Sequence, residues 1–232
     1  MLILLSVAIA PSLALFSYFY LRRDIDSEPS RLLLYAFMYG AVLTFPVLFI
    51  QHVVQEETTL TAQSFWSGPL SAFLEEFVKW LMLFIAIFKQ TRFDDPYDGI
   101  LYGASVSLGF ATVENILYLI SFGIDEALFR AMLPVTSHAL FGVVMGYYLG
   151  RAQFSTNYVK SQIALAFFAP FILHTFYNTL LYSKTEQWLI WSLFMLALWL
   201  IALSRVKQAH IFSREYRMGN HPLFEEKTKK RS

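Results

Sequence analysis

The 232-residue sequence contains no cysteine, which excludes disulfides, thiolate nucleophiles and Cys-ligated zinc. Charge is scarce as well: Asp, Glu, Lys and Arg make up 15% of the residues, against about 25% in soluble domains. With 56% hydrophobic residues and a mean hydropathy of +0.49, the chain reads as one polytopic membrane protein with no soluble catalytic domain. Internal repeats, low-complexity segments, an HExxH motif, a serine-nucleophile motif and a Gly-rich phosphate loop are all missing, and nothing is suited to binding nucleic acid. The first apolar segment has no basic start and is followed by Arg22 and Arg23. A cleavable signal peptide has the opposite polarity, so this segment is read as a retained span.

What is present is a series of apolar stretches: Leu2–Leu21, Leu32–Val54, Pro69–Phe88, Gly99–Phe122, Leu128–Leu149, Ser161–Leu181 and Gln187–Ser204. They predict an all-α, polytopic transmembrane helix bundle of about seven spans, or six if the short last stretch lies in the interface. The division that follows is an integral membrane domain over residues 1–204 and a basic cytoplasmic tail over 205–232. The tail is read chiefly as a topology anchor. Placing the N-terminus outside and the C-terminus in the cytoplasm puts nearly all Lys and Arg inside, leaving Arg130 and Lys184 outside and Lys79 in the membrane. The outer loop from Gln55 to Gly68 then ends in Phe65 and Trp66, suited to interfacial anchoring.

The third stretch carries Glu75, Glu76 and Lys79 inside an apolar run. A charge at that depth costs at least ~2.5–3.5 kcal/mol, so these groups need partners or water within the protein. Other unusual polar residues are Glu114 and Asn115 in the fourth span, His138 in the fifth, and His174 and Asn178 in the sixth. Counted from the outer helix ends at ~1.5 Å per residue, Glu75 and Glu76 lie ~9–10 Å down, Glu114 ~12 Å, His138 ~15 Å, His174 ~10 Å and Asn178 ~5 Å. Four helices thus bring polar groups into one layer. Glu75 shares a face with Lys79 at i,i+4, and Glu76 can pair with Lys79 at i,i+3 instead, so that the lysine is expected to hold one of the two glutamates and leave the other free. His52, beside Gln51, is read as interfacial, and Phe110 as ordinary core.

Two chemical schemes suit such a layer. In one, a buried carboxylate takes a proton from water that attacks a carbonyl, with histidine and asparagine donating to the oxyanion. In the other, Glu75, Glu114, His138 and His174 ligate a divalent metal such as zinc, which activates the water. Lys79 opposes a divalent cation beside the glutamates, so the reading favours glutamate-activated water without a cofactor, with zinc as the alternative.

The segments Glu75-Glu76-x-x-Lys79, Phe110-x-x-x-Glu114-Asn115, His138 and His174-x-x-x-Asn178, joined by Tyr97-Asp98-Gly99-Ile100-x-Tyr102-Gly103, resemble the PrsW family of bacterial intramembrane proteases. The resemblance implies a multi-pass protein of the bacterial cell membrane, with Glu75, Glu76, Glu114, His138, His174 and Asn178 as the catalytic set and Lys79 as an ion-pair residue. It also implies a partner: a membrane-spanning anti-sigma factor, RsiW in Bacillus, whose site-1 cut starts a cascade releasing an extracytoplasmic-function sigma factor under envelope stress. The wider superfamily includes the CAAX prenyl endopeptidases. Its second motif usually ends in His where this chain has Glu114, and the last PrsW motif ends in Asp where this chain has Asn178. Asn cannot act as a general base, which moves Asn178 toward oxyanion or substrate binding. A secondary transporter and a non-catalytic scaffold are the readings from other classes.

Overall fold

A computed structural model describes residues 2–22, 30–58, 67–88, 93–182 and 188–219. Phe65, Trp66, Lys184 and the end of the basic tail lie outside the described residues. Those residues contain helices and turns and no strand. The seven long helices are α1 (Leu2–Leu21), α2 (Ser30–Glu57), α3 (Ser67–Met82), α4 (Asp98–Phe122), α6 (Thr136–Gln153), α7 (Val159–Tyr182) and α8 (Trp188–Arg217), with the short α5 (Ala127–Arg130) between α4 and α6. Each expected span overlaps a long helix, the fifth only from Thr136 onward, and the chain forms the polytopic membrane bundle read from its composition. By length and composition five helices suffice to cross a membrane: α1, α2, α4, α7 and α8.

The two others are interrupted. α3 passes into a π-helical turn at Leu83–Phe88, and α6 is preceded by another at Ala131–Val135. Pro134 explains the second, since it lacks an N–H and its ring crowds the carbonyl one turn back. Such widened turns recur near functional sites, and this one leads directly into His138.

α4 is the axis of the bundle, buried along most of its length and packed by α1, α2 and α6. An apolar helix with no single polar face belongs in the interior. Its closest neighbour is α6, and the approach is set by glycine. A Cβ on Gly103 would lie 2.2 Å from the Gly142 carbonyl oxygen, and one on Gly146 would lie 1.9 Å from that of Gly99. Only residues without a side chain allow this contact, the usual solution for helices packing inside a bilayer. The outer helices turn apolar side chains such as Phe45, Ile172 and Leu196 outward, where lipid rather than water is the fitting solvent.

α8 differs from expectation in length. Its 30 residues extend about 45 Å, well beyond the ~30 Å hydrocarbon layer, so residue 205, the expected start of the tail, falls inside a helix. The continuation is held by polar groups: the Arg205 guanidinium lies over the Tyr147 and Tyr148 rings, Tyr147 donates to Gln208, and Arg217 pairs with Asp95. Asp95 also accepts from Ser213 and from the Tyr97 amide, tying the α3–α4 connection to α8.

Candidate active site

The polar layer assembles where α3, α4, α6 and α7 meet. Glu75 and Glu76 are consecutive on α3 and both buried, although they are turned about 100° apart. Lys79, one turn on, is fully buried. Its Nζ lies 2.9 Å from Glu76 Oε1, 3.1 Å from His138 Nδ1 and 3.8 Å from Glu75 Oε2. Helical spacing left open which glutamate the lysine holds; it hydrogen-bonds Glu76 and pairs only at longer range with Glu75. Phe110, expected to be plain core, closes the remaining side, with Nζ 4.2 Å from its ring centroid. That face-on contact replaces part of the hydration the ammonium loses.

The partners fix the histidine tautomers. An ammonium only donates, so His138 Nδ1 accepts from Lys79, and Nε2 carries the proton and donates to Glu114 Oε2 at 3.0 Å. On α7, His174 Nδ1 donates to the Glu76 carboxylate at 3.0 Å. The His174 ring stacks on Phe141 with centroids 5.0 Å apart and meets His138 edge-on at the same distance. Glu114 is the partly open member of the group, with its side chain 28% exposed.

Glu75 is oriented by residues that the sequence reading passed over. Its Oε1 accepts from Ser71 Oγ at 2.9 Å and from Gln51 Nε2 at 3.1 Å, while Gln51 also donates to Ser71. A glutamine inside an apolar run, together with the i,i+4 pair Ser71 and Glu75, was the available signal. Two carboxylate oxygens, Glu75 Oε2 and Glu76 Oε2, are buried with no hydrogen-bond partner. Each such atom costs about 1–3 kcal/mol unless something fills the gap. Glu75 Oε2 lies 3.8 Å from both Lys79 Nζ and His138 Nε2, close enough for ion pairing but longer than a hydrogen bond.

Asn178 and Asn115 stand apart from the cluster. Asn178 donates to the Gly68 carbonyl at 3.1 Å, clipping α7 to the first turn of α3. Its shallower depth was expected, but its bond is to backbone. Asn115 donates to the Ala8 carbonyl and joins α4 to α1.

Four donors could hold a metal ion: Glu75, Glu76, His138 and His174 each offer an atom, all within 4.8 Å of one another. The expected ligand set differs at one position, because Glu114 sits behind His138 and Glu76 takes its place. Carboxylate and imidazole donors suit zinc. The same arrangement, however, already encloses a cation, since Lys79 Nζ is hydrogen-bonded to Glu76 and His138 and close to Glu75. With that ammonium in place the residues do not fit a divalent ion.

A membrane-embedded helix bundle with a largely buried glutamate and histidine cluster, in which Ser71 is engaged in bonding Glu75 and no cysteine is available, has the form of an intramembrane hydrolase that activates water. Comparison with known proteins gives the particular case. A family model described as "PrsW family intramembrane metalloprotease" matches residues 28–204. Proteins named Protease PrsW from Oceanobacillus iheyensis and Geobacillus kaustophilus are 48% and 46% identical to the chain, covering 90% and 91% of it and 97% and 94% of their own lengths. Protease PrsW of Bacillus subtilis is 46% identical over 90% of this chain and 96% of its own. The chain belongs to the PrsW family and is a multi-pass membrane protease of the bacterial cell. No solved structure matches it.

Proposed function

We propose that this protease makes the first, site-1 cut in a membrane-spanning anti-sigma factor of the RsiW type, releasing an extracytoplasmic-function sigma factor in response to envelope stress, and that Glu75 activates the attacking water. The observation that carries the chemistry is the unpartnered, buried Glu75 Oε2 beside Lys79 and His138. A water bonded to this oxygen gives up a proton to it as its own oxygen attacks the peptide carbonyl carbon. The carbonyl oxygen gains the negative charge, and the Lys79 ammonium, 3.8 Å from Glu75 Oε2, is the nearby cation that offsets it, the His138 Nε2–H being held by Glu114. Collapse breaks the C–N bond, and the proton held on Glu75 passes to the departing amine. Lys79 and His174 keep Glu76 fixed in this scheme, and Glu114 holds the His138 tautomer.

The substrate assignment draws on membership of the family and on similarity to the Bacillus subtilis protein across nearly the whole chain. It also draws on the charge pattern, which puts the α2–α3 end of the bundle outside, as a cut on the outer side of a single-pass substrate requires. The test is purified protein in proteoliposomes with a single-pass anti-sigma factor, the fragments being identified by mass spectrometry. One cut on the outer side, lost in Glu75→Gln, is the expected result. An intact substrate with the wild-type protein would overturn the anti-sigma assignment, and undiminished cleavage by Glu75→Gln would overturn the role of Glu75.

A further inference from the structure

Two polar ladders face each other where α2 ends and α3 begins. Gln51 and Gln55 form one, and Ser67, Ser71 and Glu75 form the other, each spaced by four residues and so confined to one face of its helix. Between them lies a cavity of about 20 Å³, lined by the two glutamines, the two serines, Val54, Leu70 and Leu74, and separated from Glu75 by the side chains of Gln51 and Ser71. One water needs ~10–15 Å³ by the same measure; the space is water-sized and too small for a peptide. Only the inner rung joins the two helices, through the bonds of Gln51 to Ser71 and Glu75.

Hydrolysis consumes one water per cut, yet Glu75, Glu76 and Lys79 are buried and the surrounding helix faces are apolar. A water crossing hydrocarbon finds no partner, whereas the ladders offer an amide or a hydroxyl at every turn, ~5–6 Å apart. The innermost rung touches the chemistry, since Gln51 Nε2 and Ser71 Oγ both donate to Glu75 Oε1. They occupy one carboxylate oxygen and leave Oε2 for the guest.

We infer that this cleft is the inlet through which the hydrolytic water reaches Glu75, and that Gln51 is a positioning residue that holds the carboxylate. The inference rests on Glu75 acting as the base, and the test separates the two. The chain has no cysteine, so a single introduced thiol reports on its own surroundings. Only a thiol bathed in water ionises and reacts with a charged, membrane-impermeant methanethiosulfonate. In the full-length protein in proteoliposomes, Ser71→Cys should react ~10-fold or more faster than Phe73→Cys, which faces outward from the same helix. Gln51→Leu should lower kcat by about 10-fold to 100-fold with KM unchanged, as for loss of a hydrogen bond to a charged group. A purely structural glutamine would instead reduce the yield of folded protein and leave the kcat of the folded fraction alone. Equal reactivity of the two thiols removes the inlet, and wild-type kcat in Gln51→Leu removes the positioning role. Undiminished cleavage by Glu75→Gln would overturn the base assignment whatever the thiols report.

Discussion

Replacing Lys79 with methionine keeps the stem and deletes the ammonium from the centre of the cluster. At 2.9 Å, with an effective dielectric of ~20, its attraction to Glu76 is about 6 kcal/mol, and at 3.8 Å its attraction to Glu75 about 4 kcal/mol. Desolvation of the same groups opposes these gains, so the quantity to expect is the measured cost of breaking a buried pair, about 3–5 kcal/mol. Loss of the Phe110 contact acts in the same direction. Such a loss is a large part of a typical ~5–15 kcal/mol stability, and Lys79→Met should accumulate poorly or unfold at much lower denaturant. Adding Glu76→Gln removes the orphaned charge and should recover most of the stability without recovering cleavage. The assay is a four-corner cycle of wild type, both single variants and the double variant, unfolded by SDS titration in mixed micelles. A coupling of ~2 kcal/mol or more is expected; additivity within ~0.5 kcal/mol would refute the reasoning.

Glu76→Gln, like Glu75→Gln, should insert normally and cleave at least ~100-fold more slowly, the lower end of what an acid–base group contributes; full-rate cleavage by Glu76→Gln would mean that its bonds to Lys79 and His174 are dispensable. Exhaustive chelation should leave the wild-type rate unchanged and metal analysis should find no stoichiometric ion, because the Lys79 ammonium sits among the donors and repels a divalent cation. Stoichiometric zinc, with activity lost on removal and restored on return, would show that the ammonium yields its place. A reporter fused after Ser232 should be cytoplasmic and one inserted near Thr61 exported, and an exported C-terminus would invert the bundle and move the cut to the other side. Gly146→Leu should prevent assembly of α4 on α6, read as loss of folded protein in detergent, since even a Cβ there meets the Gly99 carbonyl oxygen at 1.9 Å.

The membrane class, the positions of the long helices and the shared depth of Glu75, Glu76, Glu114, His138 and His174 were legible in the sequence. The reason is that a bilayer imposes a one-dimensional rule: apolar length marks a span, and at ~1.5 Å per residue a position in the chain is a depth. Spacing within one helix was legible for the same reason, and it put Lys79 within reach of both glutamates, while the structure decided that it bonds Glu76. Rotation of one helix about another has no such rule. Close packing at Gly99, Gly103, Gly142 and Gly146 orients α4 and α6, and only that orientation puts Glu114 behind His138 and leaves Glu76 in the metal-like group. Tertiary contact likewise decided that Asn178 binds the Gly68 carbonyl and that Gln51, from a helix carrying none of the expected site residues, reaches Glu75. Depth is a property of a chain in a membrane; which side chains meet at that depth depends on how the helices turn toward one another.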